Sequence, residues 1–228
     1  MTDTLLRTLV DLRDRQIQKA RIQFGNRLGA IERGDDESDD RQRNVLERYL
    51  KRFQDIEDEL DADIKEQVAE YPIYEQMAAV KGIGPGLAAK LIAMIDIERA
   101  DTISSLWRFA GYAVINGERE RPTKGEKLHY NSRLKTTCYL VATSFLKANS
   151  SYRRIYDEAK AYYEANRPDW TKGHWHNAAN RKMIKVFLSH LWLRWRQLEG
   201  LPVSNPYAHD IMKHGSLYTP EEFGWPIV

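Results

Sequence analysis

The chain has 228 residues, 30% of them charged and 42% hydrophobic, with a formal net charge of +2. That length can bury one or two proper cores. No apolar run is long enough to cross a bilayer, and the single cysteine, Cys138, excludes an internal disulfide and any Cys-based zinc site. The opening residues form a charged amphipathic pattern rather than a secretory leader, so the cytoplasm is the expected compartment.

The small net charge hides a polarity along the chain. Residues 1–72 carry 13 basic against 18 acidic side chains, whereas residues 105–200 carry 18 basic against 8 acidic. An acidic arm followed by a basic body suggests a body that meets phosphate.

Residues 1–72 read as a helical hairpin. Leu5, Leu9, Leu12, Ala20, Phe24, Leu28 and Ile31 recur near helical spacing, and a polar break runs from Arg33 to Asp40. A second stripe follows through Val45, Tyr49, Phe53, Ile56, Leu60, Ile64 and Val68. Neither stripe is satisfied alone in water, so the helices should pair antiparallel or recruit a partner chain. Pro72 is expected to end the second helix. Arms of this kind more often dimerise or space domains than perform chemistry, and a homodimer through the arm is the expected assembly.

Residues 77–92, MAAVKGIGPGLAAKLI, are the most informative stretch of the chain. Two short helices joined by Gly82-Ile83-Gly84 would leave unpaired N–H groups at the start of the second helix. Those groups and the helix dipole both favour a phosphate. Gly82, Gly84 and Gly86 let a ligand approach the backbone, Pro85 suits a first helical turn, and Lys81 and Lys90 add charge. This is the helix-hairpin-helix pattern of proteins that grip nucleic-acid backbones. A corner with packing glycines is the plainer alternative.

Further on, Asp96–Thr102 reads as a connector and Ile103–Tyr112 as a short helix stopped at Gly111. A polar loop covers residues 113–129, where Asn116-Gly117 could join a small β-hairpin of Tyr112–Ile115 with Glu118–Arg121. Helices are expected over Asn131–Ala148, Ser151–Asn166 and Asn177–Leu198, with a loop at residues 167–173. The tail after Gly200, rich in Pro, Tyr and Gly, is expected to lie extended over the core. The expected class is mostly all-α: an arm over residues 1–72, then a basic helical domain over 73–228.

Basic residues cluster at three further places. Arg119, Arg121, Lys124 and Lys127 line the polar loop, and Arg133 and Lys135 open the next helix. Arg181, Lys182 and Lys185 lie early in the last long helix. Neutralising about six phosphates would cost about a thousandfold in affinity between roughly 50 and 200 mM salt. Tyr112, His129, Tyr130 and Trp170 lie near these charges and are candidates to stack on unpaired bases. Candidate catalysis is thinner. His174, His176 and Asn177 invite comparison with an HNH-type nuclease, but no carboxylate–His spacing is distinctive. No metal, cofactor or catalytic residue is assigned.

Val80-Lys81-Gly82-Ile83-Gly84-Pro85, Ala88-Ala89, Leu106 and Phe109-Ala110-Gly111-Tyr112 form one block, and Lys124-Gly125 with Asn131-Ser132-Arg133-Leu134-Lys135 a second. Together they resemble the C-terminal domain of RNA-bridged insertion-sequence transposases, whose N-terminal part is a RuvC-like DEDD domain. The resemblance covers about a third of the chain. The paired-helix arm is similar to the coiled coil and Nop domain of box C/D RNA-guide proteins. The guide-RNA-binding Tas proteins of tandem interspaced guide RNA systems are similar to both, and include members without a nuclease domain. In the transposases a nucleophilic serine stands beside a glycine after the Ala-Gly-Tyr-like block. Here Asn116 stands near that position, and an amide cannot replace a hydroxyl nucleophile. Nothing resembling the DEDD domain precedes the arm.

The resemblance implies binding without strand transfer: a nuclease-free, RNA-guided type of protein of mobile-element origin. It would hold a guide-like RNA, target DNA, or both, in a prokaryotic cytoplasm or at the nucleoid. One alternative is a transposase or recombinase-type enzyme acting on DNA. A plainer one is a helical assembly protein whose basic face only solvates it.

Overall fold

The structure, a computed structural model, describes residues 4–37, 39–114, 124–125, 127–203 and 218–228. Among them the chain is all-α, without a strand. The elements are α1 (Thr4–Leu12), a π turn (Arg13–Ile17), α2 (Gln18–Glu32), α3 (Asp40–Ala69), α4 (Pro72–Ala78) and α5 (Pro85–Met94). They continue with α6 (Ile103–Phe109), α7 (Ser132–Ala148), α8 (Arg153–Asn166), α9 (Lys172–Leu198) and a 3₁₀ turn at Glu221–Phe223. The β-hairpin considered for residues 112–121 falls largely outside the described residues.

The arm is a hairpin of two long helical segments, but its stripes differ from the expected ones. The π turn adds a residue to one helical turn and rotates everything before it. Leu6 and Val10 are therefore the buried residues of α1, and Leu5 is exposed. Asp39 starts α3 with a capping box, its side chain accepting from Gln42 N while the Gln42 side chain accepts from Asp39 N. On α3 the face toward α2 carries Leu46, Leu50, Phe53 and Glu57, whereas Val45, Tyr49 and Ile56 stay exposed. The two helices pack closely at Gly25, where a Cβ would make an ordinary 3.7 Å contact with Leu50 Cδ1. Pro72 does not end α3, which stops at Ala69; it is the first residue of α4, where a missing N–H costs nothing.

A buried carboxylate marks the root of the arm. Glu57 is 2% exposed and is held by Arg21 Nε, by Arg13 at 2.8 Å and by Gln18 Nε2 at 3.3 Å. Arg13 also reaches Asp61, at 2.9 and 3.0 Å. These ties act as one network, because a buried charge is tolerated only when paired and hydrogen-bonded. Leu6, Val10, Ile64 and Val68 join the same core as the body, so the arm grows out of the core without a seam at Pro72.

The body is organised around α9. Its Met183, Ile184, Phe187, Leu188, Leu191 and Trp192 are buried against α4, α6, α7 and α8. Phe145 stacks on Tyr152 at 4.7 Å between ring centres, and Phe187 meets both edge-on. Such pairs add about 0.5–1.5 kcal/mol each beyond their buried area. The helix begins at Lys172, five residues earlier than expected, because the Thr171 side chain accepts from His174 N and caps it. Arg196 and Trp192 donate to the carbonyl of Ala100, and Arg196 also to that of Ile97, fixing the connector between α5 and α6. Residues 218–228 close over α8 and α9, burying Phe223 and Trp225.

Candidate nucleic-acid interface

The turn between α4 and α5 is built from local chemistry. Val80 N donates to Met77 O and Ile83 N to Val80 O, both at 3.0 Å, and Ile83 is buried beneath the turn. Gly82 adopts φ +105°, a conformation open essentially to glycine. A Cβ there would lie 3.1 Å from Phe145 Cδ1, and the Gly82 carbonyl accepts from Ser144 Oγ at 2.6 Å. Gly82 therefore seats the turn on α7.

Gly84 and Gly86 are different. Gly84 is the N-cap of α5 in extended conformation, without a side-chain cap, and Pro85 is the first helical residue. A Cβ on either glycine would meet nothing within 4 Å. The Gly84 carbonyl accepts from Leu87 and Ala88 N, while the Gly84 and Gly86 N–H groups find no acceptor among the described residues. An open helix start with a free N–H suits an anion.

Lys81 is exposed, with no acidic partner among the described residues. Lys147, which the sequence reading missed, is exposed in the last turn of α7. It lies on the same 144–148 turn against which Gly82 is seated. Helix α7 carries Arg133, Lys135 and Lys147 and no acidic residue. Tyr139, Thr143 and Lys147 follow one another at one-turn spacing on it, and Tyr139 is 53% exposed. No local motif marks this strip in the sequence.

Several expected phosphate contacts are engaged elsewhere. Lys90 is largely covered and pairs with Asp14 at 2.9 Å, tying α5 to the π turn. Arg133 pairs with Asp11 beside a cleft of about 380 Å³ that Arg7, Arg99 and Phe109 also line. Lys135 lies 4.3 Å over the Tyr130 ring, which in turn packs on Gly111. Arg181 donates to the carbonyls of Gly111, Tyr112 and Ala113, a clamp on the chain leaving α6. Lys185 sits 3.8 Å over Trp107, and burial, reinforced by Arg181, lowers its pKa below the usual lysine range. Lys124, Lys127 and Lys182 are exposed, and Arg119 and Arg121 lie outside the described residues.

The aromatic candidates divide in the same way. Tyr112 is buried, and that burial pushes its hydroxyl far above the ordinary phenol range, so it is no stacking platform. Tyr130 is half covered by Lys135, and Trp170 stacks on Tyr163 at 5.5 Å. His129 is exposed.

The described histidines do not converge. His174 is exposed beside Trp170, while His176 bridges Tyr156 Oη at 2.7 Å and the Asn180 side chain at 2.9 Å. Among the described residues no three His, Cys, Asp or Glu side chains gather as a metal site requires. Cys138 is fully buried, which pushes its thiol up to about 12 and leaves it unreactive. Comparison with protein-family models, with curated proteins and with solved structures finds no match to this chain.

Proposed function

We propose that the body is a nucleic-acid-binding domain that holds a structured, guide-like RNA, with DNA as a second ligand, and performs no chemistry on it. The observation that carries this reading is the open backbone at Gly84 and Gly86, with exposed Lys81 in the same turn and exposed Lys147 in the last turn of the helix on which Gly82 is seated. A phosphate at the turn would receive backbone N–H donation beside the Lys81 charge. Tyr139 offers a ring to an unpaired base along the same helix, and Lys124, Lys127 and Lys182 supply further backbone contacts. RNA is proposed as the first ligand on the resemblance to guide-RNA-binding proteins alone, since phosphate contacts serve RNA and DNA alike. No catalytic step is assigned to any residue.

The test is to express the chain with its neighbouring locus, purify it and sequence the nucleic acid that accompanies it. A discrete short RNA, removed by RNase, is the expected result. Heterogeneous DNA would overturn the guide reading in favour of a transposase-like DNA binder, and no nucleic acid at all would favour an assembly protein.

A further inference from the structure

The intramolecular pairing of α2 with α3 leaves an apolar face uncovered. Val45, Tyr49 and Ile56 are 37–39% exposed along one side of α3, and α2 has no fully buried residue. Phe24 contacts Tyr49 and Phe53 from α2, which extends that face across both helices. Charges on the same side of α3 are sorted by sign along its length. Arg48 and Arg52 flank the Tyr49 ring, each 5.6 Å from its centre, toward the tip. Glu59 and Asp63 lie exposed toward the body. None of the four has an opposite charge bound to it among the described residues.

We propose that this face binds a second copy of the chain through antiparallel α3 helices. The charge order selects that occupant. In an antiparallel pair, Arg52 meets Glu59 of the second copy and Arg48 meets its Asp63. Both pairings share one two-fold axis, which crosses α3 between Asp55 and Ile56. A two-fold contact repeats each pairing, so four ion pairs flank an apolar seam centred on Ile56. A parallel pair would oppose arginine to arginine and is disfavoured. This inference stands apart from the nucleic-acid reading, since no residue of the turn or of α7 takes part.

The test uses sedimentation equilibrium of the full chain at tens of micromolar, after nuclease treatment. The expected mass is twice the 26.6 kDa of one chain. Arg52→Glu is expected to weaken dimerisation at least tenfold, and Arg52→Glu with Glu59→Arg to restore it. Ile56→Cys is expected to form an intermolecular disulfide under mild oxidation, whereas Lys65→Cys, on another side of α3, is not. Helix content by circular dichroism should stay unchanged in all four variants, because these side chains are exposed. A monomeric wild type, or a charge swap that fails to restore association in a folded protein, would overturn the proposal.

Discussion

Replacing Lys81 and Lys147 together by glutamate is expected to lower the affinity of the full chain for RNA by about a hundredfold at about 0.1 M salt. The slope of log affinity against log salt should fall by about two, one for each phosphate left without its lysine. Both side chains are exposed and bound to no acidic residue among those described, so the folded state has little to lose. Lys90→Gln provides the contrast. Lys90 is engaged by Asp14, so its removal should loosen the packing of α5 on the π turn while leaving the salt slope where it was. Equilibrium anisotropy titrations of the three proteins over a salt series read both effects. A double variant with wild-type affinity and slope would remove the turn and the end of α7 from the interface.

Acid is expected to weaken the fold through His190. Its Nδ1 lies 2.6 Å from Tyr152 Oη, its Nε2 lies 2.9 Å from the Tyr218 carbonyl, and Trp225 Nε1 donates to Tyr152 Oη. These contacts fit one proton arrangement. Trp225 donates to Tyr152, Tyr152 donates to Nδ1, and Nε2–H donates to Tyr218 O, so the imidazole is neutral. Burial holds its pKa down, at about 4 against an ordinary 6.5; Arg194 acts in the same direction, while the Tyr218 carbonyl, Glu221 and Glu222 oppose it. The folded pKa is the lower one, so the stabilisation is complete above about 6.5. It is lost as pH falls toward 4, where only the unfolded chain takes up the proton. The loss over that window is about 3 kcal/mol. Urea unfolding at a series of pH values should show this decline in the wild type and a flatter profile in His190→Gln. Parallel profiles would show that His190 does not couple the tail, residues 218–228, to pH. Charging His190 breaks its acceptor bond from Tyr152, so residues 218–225 should be the first to lose protection from hydrogen exchange.

The two halves of the proposed interface differ in how far they could be read from sequence. The turn was legible, since Gly82, Gly84 and Pro85 act through φ, ψ and a missing N–H, which are properties of the residue itself. The fate of each cation was not. Lys90, Arg133, Arg181 and Lys185 carry the same charge as Lys81, but Asp14, Asp11, three loop carbonyls and Trp107 reach them only through tertiary packing. Lys147 was missed for the converse reason, because only tertiary packing shows that its stretch of α7 is the one on which Gly82 is seated. In the arm, periodicity identified two helices but misplaced the inner face. The π turn shifts the phase between Val10 and Gln18, and Val45, Tyr49 and Ile56 keep helical spacing yet stay 37–39% exposed. Pro72 shows how local a sequence signal is. The missing N–H expected to end α3 instead suits the first residue of α4.

Binding of nucleic acid through phosphate by the basic body is tested most directly by the salt dependence of association between the intact chain and a structured RNA, with single-stranded and duplex DNA alongside. Engagement of the turn together with Lys124, Lys127, Lys147 and Lys182 predicts a log–log slope of about −3 to −5. Absence of binding at about 50 mM salt, or binding whose strength does not change with salt, would contradict it.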